Sequence, residues 1–258
     1  MSSNVPLLSV ANVVKRFGGV VALGGVSFDV ADCQICGLIG PNGSGKTTLF
    51  NCISGIYRVD SGDIRLLGRP LTGLPRHAMA GLGIGRTFQN VALFRTMTVR
   101  ENVLVGAHHL GRSGFMANAL GLPVTAAEER RAGAAADELV AILDLEKVAH
   151  LPVAGQPFGT QKRIELARAL IGRPKLLLLD EPAAGLNHEE VDALGEVFQR
   201  IREHFALSIL LVEHHMSLVM SVSDKVVVIN FGRKIADGSP EQVRQNPEVI
   251  KAYLGTAA

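Results

Sequence analysis

One stretch of the sequence has the residue types and the spacing that bind phosphate. Residues 40–48 read Gly-Pro-Asn-Gly-Ser-Gly-Lys-Thr-Thr, which fits the phosphate-binding loop pattern G-x-x-x-x-G-K-[ST]. Its glycines let backbone N–H groups approach phosphate oxygens at the positive end of a helix dipole. Lys46 would place a charge beside the β- and γ-phosphates, and the Thr47 hydroxyl would ligate Mg²⁺. The predicted phosphate-binding residues are Gly40, Asn42, Gly43, Ser44, Gly45, Lys46, Thr47 and Thr48.

The flanks of this loop support the interpretation. An apolar run over 35–39 precedes it, and residues 48–53 have helical character. The motif needs this strand–loop–helix context, without which a chance glycine loop would remain the simpler explanation. We therefore expect a nucleotide site at the start of this helix.

Two adjacent carboxylates form a second candidate element. Four leucines, 176–179, predict a strand buried on both faces of a parallel sheet, and Asp180 and Glu181 follow at its carboxyl end. If this strand lies beside the strand of the loop, Asp180 is placed for Mg²⁺ coordination. Glu181, one residue further out, could accept a proton from an attacking water. A solvated acidic turn is the alternative, and the four leucines argue against it.

Composition limits the class of protein. The chain has 258 residues, a length at the upper end of one domain. Its hydrophobic content is 47%, yet no apolar run approaches the ~20 residues that span a bilayer. The first six residues lack a basic and apolar secretory pattern. The net charge of +2 is too small to indicate nucleic acid as a partner.

Two other groups of residues could bind metal, and both have simpler explanations. Cys33 and Cys36 form C-x-x-C, which could indicate metal or redox chemistry. On a strand, however, residues i and i+3 face opposite sides, so reduced cysteines of a cytosolic chain are favoured. His108 and His109 could be ligands, but an exposed pair is favoured because no further ligand stands at metal spacing on a firm helix.

Alternating strand and helix patterns indicate an α/β fold with a mainly parallel central sheet and an N-terminal antiparallel β portion. A strand over 82–89 is expected to end at Gln89, and an inserted helical subdomain then covers 90–165. In that region the glycine- and alanine-rich stretches 111–121 and 132–136 predict loose structure, and 138–145 a helix. The whole chain is interpreted as one domain, with core residues 1–89 and 166–258.

The order of these motifs resembles the ATP-binding-cassette ATPases over essentially the whole chain. The ordered set is the loop at 40–48, Gln89, a helix opening at 157–162, Asp180-Glu181, residues 184–187 and His214. The resemblance implies a P-loop NTPase that dimerises head to tail and binds two molecules of ATP with Mg²⁺. Each ATP would lie between the loop of one subunit and the signature motif of the other.

Three segments are similar to one branch, the ATP-binding subunits of bacterial branched-chain amino acid importers of the type with the longer helical insertion. The first comprises residues 83–90 with 93–94 and 97–99, and the other two are residues 181–187 and 246–255. This similarity implies a second ATP-binding subunit, either a paralogue or a copy, and two transmembrane permease subunits. It also implies a periplasmic solute-binding protein as an indirect partner, and a peripheral place on the cytoplasmic face of the inner membrane. A urea or amide importer, an exporter and a P-loop kinase remain alternatives.

The resemblance also assigns roles to single residues. Phe17 would stack on adenine, although a lone aromatic could equally belong to the core. Gln89 would contact Mg²⁺ and the attacking water, and His214 would sense the γ-phosphate. Asn187 and His215 stand where many relatives have Asp.

The signature motif departs most from the family pattern. Relatives read Leu-Ser-Gly-Gly-Gln or close variants, and this chain has Pro157 in place of the serine. The residues that would face the partner's ATP are Phe158, Gly159, Thr160 and Gln161. Proline lacks both a hydroxyl and a backbone N–H, so we expect weak hydrolysis at the site that this motif completes.

Overall fold

The structure is a computed structural model that describes residues 5–87, 93–110 and 123–254. Its strands, in chain order, are β1 (Leu8–Phe17), β2 (Val20–Val30), β3 (Ile35–Ile39), β4 (Ser61–Leu66), β5 (Arg69–Pro70), β6 (Ile84–Arg86), β7 (Leu176–Asp180), β8 (Ser208–Val212), β9 (Lys225–Asn230) and β10 (Arg233–Gly238). Its α-helices are α1 (Lys46–Ile53), α2 (Ala78–Gly81), α3 (Val99–Val105), α4 (Pro123–Ile142), α5 (Phe158–Leu170), α6 (His188–Phe205), α7 (Met216–Val222), α8 (Pro240–Arg244) and α9 (Pro247–Leu254).

A six-stranded sheet forms the centre of the fold, in the order β10-β9-β3-β8-β7-β6. Its strands from β9 to β6 are parallel, and β10 joins β9 as an antiparallel hairpin. Every residue of β3, β7 and β8 is buried, as expected for parallel strands covered on both faces. The predicted mainly parallel sheet is confirmed.

The N-terminal part of the chain forms a second sheet of four antiparallel strands in the order β2-β1-β4-β5. Leu8, Val10 and Val13 of β1 are buried with Val26, Phe28 and Val30 of β2 against one face of the central sheet and α1. The other face of the central sheet packs on the helices, including α3, α4 and α5. The fold class, with its antiparallel β portion and a helical region, agrees with the expectation from sequence.

Three expectations need correction. Residues 132–136 are helical rather than loose, because they lie within the 20-residue helix α4, which ends at Ile142. Alanine is the strongest helix former, so an alanine-rich stretch favours helix over loop. Of the described residues in the strand predicted over 82–89, Ile84–Arg86 form a strand, whereas residues 88 and 89 lie outside the described part of the chain. Cys33 lies in a turn with φ of 56° and not on a strand.

Some predicted features lie outside the described residues, Gln89 and the stretch 111–121 among them. Of the described helices, none combines the length and the apolarity that crossing a membrane requires.

Candidate functional site

The loop at 40–48 connects β3 to α1, and its glycines have conformations that side chains rarely adopt. Gly40, Gly43 and Gly45 have φ of 153°, 75° and 107°. A Cβ at Gly45 would lie 2.7 Å from the carbonyl oxygen of Ala22, and one at Gly40 would collide with the carbonyl oxygen of Ile229. The loop therefore needs glycine both for its turns and for its close packing on neighbouring strands.

A cavity of about 360 Å³ opens above this loop. It is lined by Val20, Val21, Ala22, Gly43, Ser44, Gly45, Lys46, Thr47, Thr48, Phe231 and Gly232. The backbone N–H of Gly232 donates to the carbonyl of Ser44 at 2.8 Å, which fixes the β9–β10 turn against the loop. Most of the predicted loop residues are thus brought together around one cavity, at the N-terminus of α1.

Lys46 is held across the loop. Its ammonium donates to the carbonyl oxygens of Gly40 at 2.7 Å and Pro41 at 3.0 Å. Burial lowers the pKa of Lys46, and the negative charge of Glu181 acts in the opposite direction. The side chain is 9% exposed, so its charge acts in an environment of low dielectric, where it attracts phosphate strongly.

Phe17 lies outside the lining of this cavity. Its ring is 44% exposed, contacts Tyr57 edge to face at a centroid distance of 5.2 Å, and lies 5.2 Å from the ammonium of Lys15. The partial exposure shows that Phe17 is not a core residue. Its partner in the β1–β2 register is Val20, which does line the cavity.

Asp180 ends β7 as a buried carboxylate, 4% exposed. Burial raises the pKa of Asp180; the Arg86 guanidinium, 3.6 Å away, opposes this effect, whereas the negative charges of Glu181 and Glu213 add to it. β8 separates β7 from β3, so the expectation that the Asp180 strand directly neighbours the loop strand was wrong. Parallel strands end at the same edge, and Asp180 still lies at the edge that carries the loop.

Glu181 and His214 lie at the ends of the neighbouring strands β7 and β8. The backbone N–H of Glu181 donates to the carbonyl of Val212 at 2.9 Å, two residues before His214. Glu181 has a left-handed φ of 47°, a strained conformation that is frequent at functional sites. The side chain of His214 is 54% exposed, and its ring lies 4.8 Å from that of His215. The structure therefore brings Asp180, Glu181 and His214 together.

Arg86 is a residue of this site that the sequence reasoning missed. Its guanidinium bonds the side chains of Asn51, at 2.9 Å, and Ser54, both on or next to α1, and it also faces Asp180. It lies 4.6 Å over the Phe50 ring. Arg86 thus links the helix behind the loop to the buried carboxylate. Arg86 lies within a segment that resembles the importer branch, but that resemblance assigned it no role.

Glu213 was missed as well. It precedes His214, is 1% exposed, and accepts hydrogen bonds from three backbone N–H groups. In the sequence, a glutamate after an apolar run is typical of a strand end that faces solvent. The structure shows that Glu213 is buried instead and bonded to Ala183, in the segment that follows β7.

The signature residues lie apart from the loop cavity. Pro157 is the N-cap of α5, with φ of −53° and ψ of 150°. Gly159 and Thr160 line a groove with residues of α6, and this groove shares none of its described lining residues with the loop cavity. Phe158 is 43% exposed. The structure thus does not bring residues 158–161 to the loop of the same chain.

Asn187 is the N-cap of α6 and forms a reciprocal capping box. Its side chain accepts from the N–H of Glu190 at 2.9 Å, and the Glu190 carboxylate accepts from the N–H of Asn187 at 3.0 Å. The same carboxylate lies beside Gly159, where an added Cβ would be 3.0 Å from its Oε1. The capping box therefore attaches the segment after Glu181 to α6, and the Glu190 side chain lies close to the start of α5.

Comparison with known families identifies the class. The family described as ABC transporter matches residues 23–184, and the chain belongs to it. A further family, described as branched-chain amino acid ATP-binding cassette transporter, matches residues 233–258. The chain is an ATP-binding subunit of the ABC type, and its enzymatic class is that of an ATPase. Family membership sets aside the alternative of a small-molecule kinase.

Several relatives are similar over nearly their whole length. The chain is 46% identical over 252 residues to the high-affinity branched-chain amino acid transport ATP-binding protein BraF of Pseudomonas aeruginosa, covering 98% of this chain and 99% of the relative. It is 44% identical to LivG of Escherichia coli strain K12, a protein of the same description, with the same coverage. A nucleotide-free ATP-binding cassette from an ABC transporter superposes with a TM-score of 0.83 at 30% identity, covering 97% of this chain and all of the other.

Proposed function

We propose that this chain is the ATP-hydrolysing subunit of a bacterial importer for branched-chain or related amino acids. The observation that carries the enzymatic part is the cluster of Lys46, Asp180, Glu181 and His214 at one edge of the central sheet. The solute class is supported by the near-complete coverage of BraF and LivG, and by the match of residues 233–258 to the branched-chain family.

The loop and its lysine would bind the phosphates of ATP. The cavity is lined by the first residues of α1, where a helix N-terminus presents backbone N–H groups to anions, and Lys46 adds a buried positive charge. Phe17 would stack on adenine, since it is exposed beside the cavity-lining strand β2.

The donor set fits Mg²⁺. A buried carboxylate at Asp180 and a hydroxyl at Thr47 are the hard oxygen ligands that this ion prefers, and Gln89 would add a side-chain oxygen. Bound there, the ion would neutralise charge on the phosphates. Because burial disfavours the charged form of Asp180 and the positive charges of Arg86 and Lys162 only oppose this effect, a bound cation would favour its charged form.

Glu181 would act as the general base. Its position one residue beyond the buried Asp180, where it is partly exposed, would allow it to take a proton from the attacking water. His214 on the neighbouring strand would orient that water and the γ-phosphate, and its exposed ring is free to face them.

A second subunit would complete each site. Phe158, Gly159, Thr160 and Gln161 are remote from their own loop cavity and partly exposed at the start of α5. At a helix N-terminus they could receive the phosphates of a partner's ATP. This arrangement supports a head-to-tail dimer with a copy or with a paralogous subunit.

Exposed apolar residues mark where permeases could dock. Phe94 and Met97, just before α3, are 50% and 38% exposed, and Leu151 beside them in the helical region is 49% exposed. Large exposed apolar side chains grouped together are typical of protein contacts. Two transmembrane permeases bound there would hold the chain at the cytoplasmic face of the inner membrane and couple it to a periplasmic binding protein.

Nucleotide-driven dimerisation tests the enzymatic proposal. Glu181→Gln should bind ATP without hydrolysing it and, mixed with the partner subunit, elute as a dimer in size-exclusion chromatography with ATP and Mg²⁺. Lys46→Ala is the matched control and should lose nucleotide binding and remain monomeric. A persistent monomer of Glu181→Gln, or tight ATP binding by Lys46→Ala, would contradict the proposal.

The solute class needs a separate test. The complex purified from native membranes through this subunit, reconstituted in vesicles, should take up labelled leucine in an ATP-dependent way. Uptake of labelled urea and of labelled short amides is measured in parallel, because these are the solutes of the alternative importer. Uptake of urea without leucine would leave the ATPase role intact and overturn the amino acid assignment.

A further inference from the structure

Glu213 occupies an unusual place for a carboxylate. It directly follows the buried strand β8, just before His214, and is 1% exposed. A buried charge is costly unless hydrogen-bond donors surround it. Here both of its oxygens are bonded: Oε1 accepts from the N–H of Ala183 at 2.8 Å, and Oε2 accepts from the N–H groups of His214 at 2.8 Å and His215 at 3.1 Å.

These three bonds join two segments of the site. Ala183 follows Glu181 by two residues, whereas His214 and His215 follow β8. The neighbouring strands already share the bond from the N–H of Glu181 to the carbonyl of Val212. Beyond the ends of β7 and β8 the two segments no longer form backbone hydrogen bonds of the sheet, and there the side chain of Glu213 links them instead. Bonds to an ionised acceptor are shorter and stronger than neutral ones.

Its orientation argues against a direct role in chemistry. Ligand atoms of Glu213, His214 and His215 lie within 4.8 Å of one another, a spacing that could hold a metal ion. Both oxygens of Glu213 are, however, directed at backbone N–H groups, and its Oε2 lies 3.8 Å from Nδ1 of His214, beyond hydrogen-bond distance. The carboxylate thus fixes the backbone of His214 and leaves the ring exposed.

We infer that Glu213 is a positioning residue for ATP hydrolysis: it sets the distance between the backbone that carries Glu181 and the backbone that carries His214. The inference rests on the proposed roles of those two residues. A carboxylate is suited to this task because it accepts on both sides at once, and a side chain with one acceptor oxygen bonds only one segment well.

Glu213→Gln tests the inference because it keeps the shape and replaces one acceptor by an NH₂ group that faces a backbone N–H. In the assembled complex we expect kcat for ATP to fall by about tenfold to a hundredfold, the size of effect that small misplacements cause. KM for ATP and the stoichiometry of bound nucleotide should stay within twofold of wild type. Glu203→Gln, at an exposed position of α6, is the control and should change neither.

Glu213→Asp keeps the charge and both acceptors on a shorter side chain, and should give a kcat between those of wild type and Glu213→Gln. A kcat for Glu213→Gln within twofold of wild type would overturn the inference. So would a loss of nucleotide-binding stoichiometry in proportion to activity in both variants, since that result would show a role in folding alone. If Glu181→Gln retained the wild-type rate, the proposed function itself would fail, whatever the behaviour of Glu213.

Discussion

At the scale of single residues, the site depends on a buried carboxylate that has a nearby cation. Asp180 is almost fully buried, and the guanidinium of Arg86 lies 3.6 Å from it while also bonding Asn51. A buried ion pair contributes little to folding stability compared with apolar side chains packed in its place. Removing one partner, however, leaves the other as an uncompensated charge inside the protein and is strongly destabilising. The pair therefore makes the stability of the fold depend on the charge of Asp180.

Arg86→Met should destabilise the protein by about 3 kcal/mol at pH 7, the cost typical of breaking a buried pair. Burial already raises the pKa of Asp180, and loss of the cation raises it further. A carboxyl whose folded pKa exceeds its unfolded pKa lowers stability as pH rises between the two values. The loss in free energy of unfolding that Arg86→Met causes should therefore become smaller as the pH falls to the range where Asp180 is protonated.

Urea denaturation at pH 7 and pH 4.5 measures this difference. The double variant Arg86→Met, Asp180→Asn is the control, because it has no carboxyl at position 180 to titrate. Its difference from wild type in free energy of unfolding should not become smaller at pH 4.5 for this reason. Equal destabilisation of Arg86→Met at both pH values would show that the guanidinium acts through packing instead.

Cysteine reactivity tests the structural interpretation of the C-x-x-C pair. Burial raises the pKa of Cys36 to about 12 and that of Cys52 to about 11, whereas Cys33 is exposed. The thiolate is the reactive form, so iodoacetamide at pH 8 should label Cys33 in the native protein and all three thiols in urea. Mass spectrometry identifies the labelled peptides. Rapid native labelling of Cys36 would contradict the buried β3 position.

At the scale of elements, the N-cap of α6, Asn187, lies six residues after Glu181. The box formed by Asn187 and Glu190 satisfies two backbone N–H groups at the start of an 18-residue helix. The family resemblance places Asn187 where an Asp is expected, and Asn and Asp are about equal as N-caps. The departure from the family pattern therefore leaves this local structure intact.

Asn187→Ala should lower the free energy of unfolding by about 1 kcal/mol, because the Glu190 N–H loses its acceptor. Asn187→Asp should leave stability unchanged, since a carboxylate caps equally well. Thermal and chemical denaturation of the three proteins gives the comparison. Equal stability of Asn187→Ala and wild type would mean that the box contributes nothing to the helix.

The elements also show what sequence reasoning could reach. The four leucines before Asp180 predicted β7 because a buried parallel strand has no polar alternation to obscure it. Helix α4 was predicted only in part, since its alanines and Gly133 give a weak apolar stripe. Arg86 and Glu213 escaped prediction for another reason. Their roles depend on partners 30 or more positions away in the chain, such as Asn51 and Ala183, and no local pattern encodes those contacts.

At the scale of the whole molecule, the phosphate-binding loop and the signature helix face different cavities. The order of motifs predicted both groups of residues, and the fold places them at two separate cavities, as the proposed dimer requires. In the proposed dimer each half would be completed by a second subunit, and the activity of this chain would then depend on the residues it offers to its partner as much as on its own loop.

Pro157 is the residue at which the signature motif, which this chain would offer to its partner, differs from the family pattern. It caps α5 with backbone dihedral angles that suit an N-cap, but it supplies no side-chain acceptor and no N–H. Pro157→Ser should therefore have two effects. A serine N-cap should add about 0.5–1 kcal/mol to the stability of the helix. Its hydroxyl and N–H should also donate to the γ-phosphate of the partner's ATP and raise the ATPase rate of the assembled complex several-fold.

Pro157→Ala separates these contributions, because it restores the N–H without the hydroxyl and should give a smaller gain in rate and none in capping. The rates are to be measured in the complex with its partner subunit and permeases, with Glu181→Gln in this chain to silence the site that its own loop forms. If the serine variant is more stable and hydrolyses ATP no faster, then Gly159 and the N-terminus of α5 already suffice for the partner's phosphate. The proline would then be a neutral replacement within a fully active half-site.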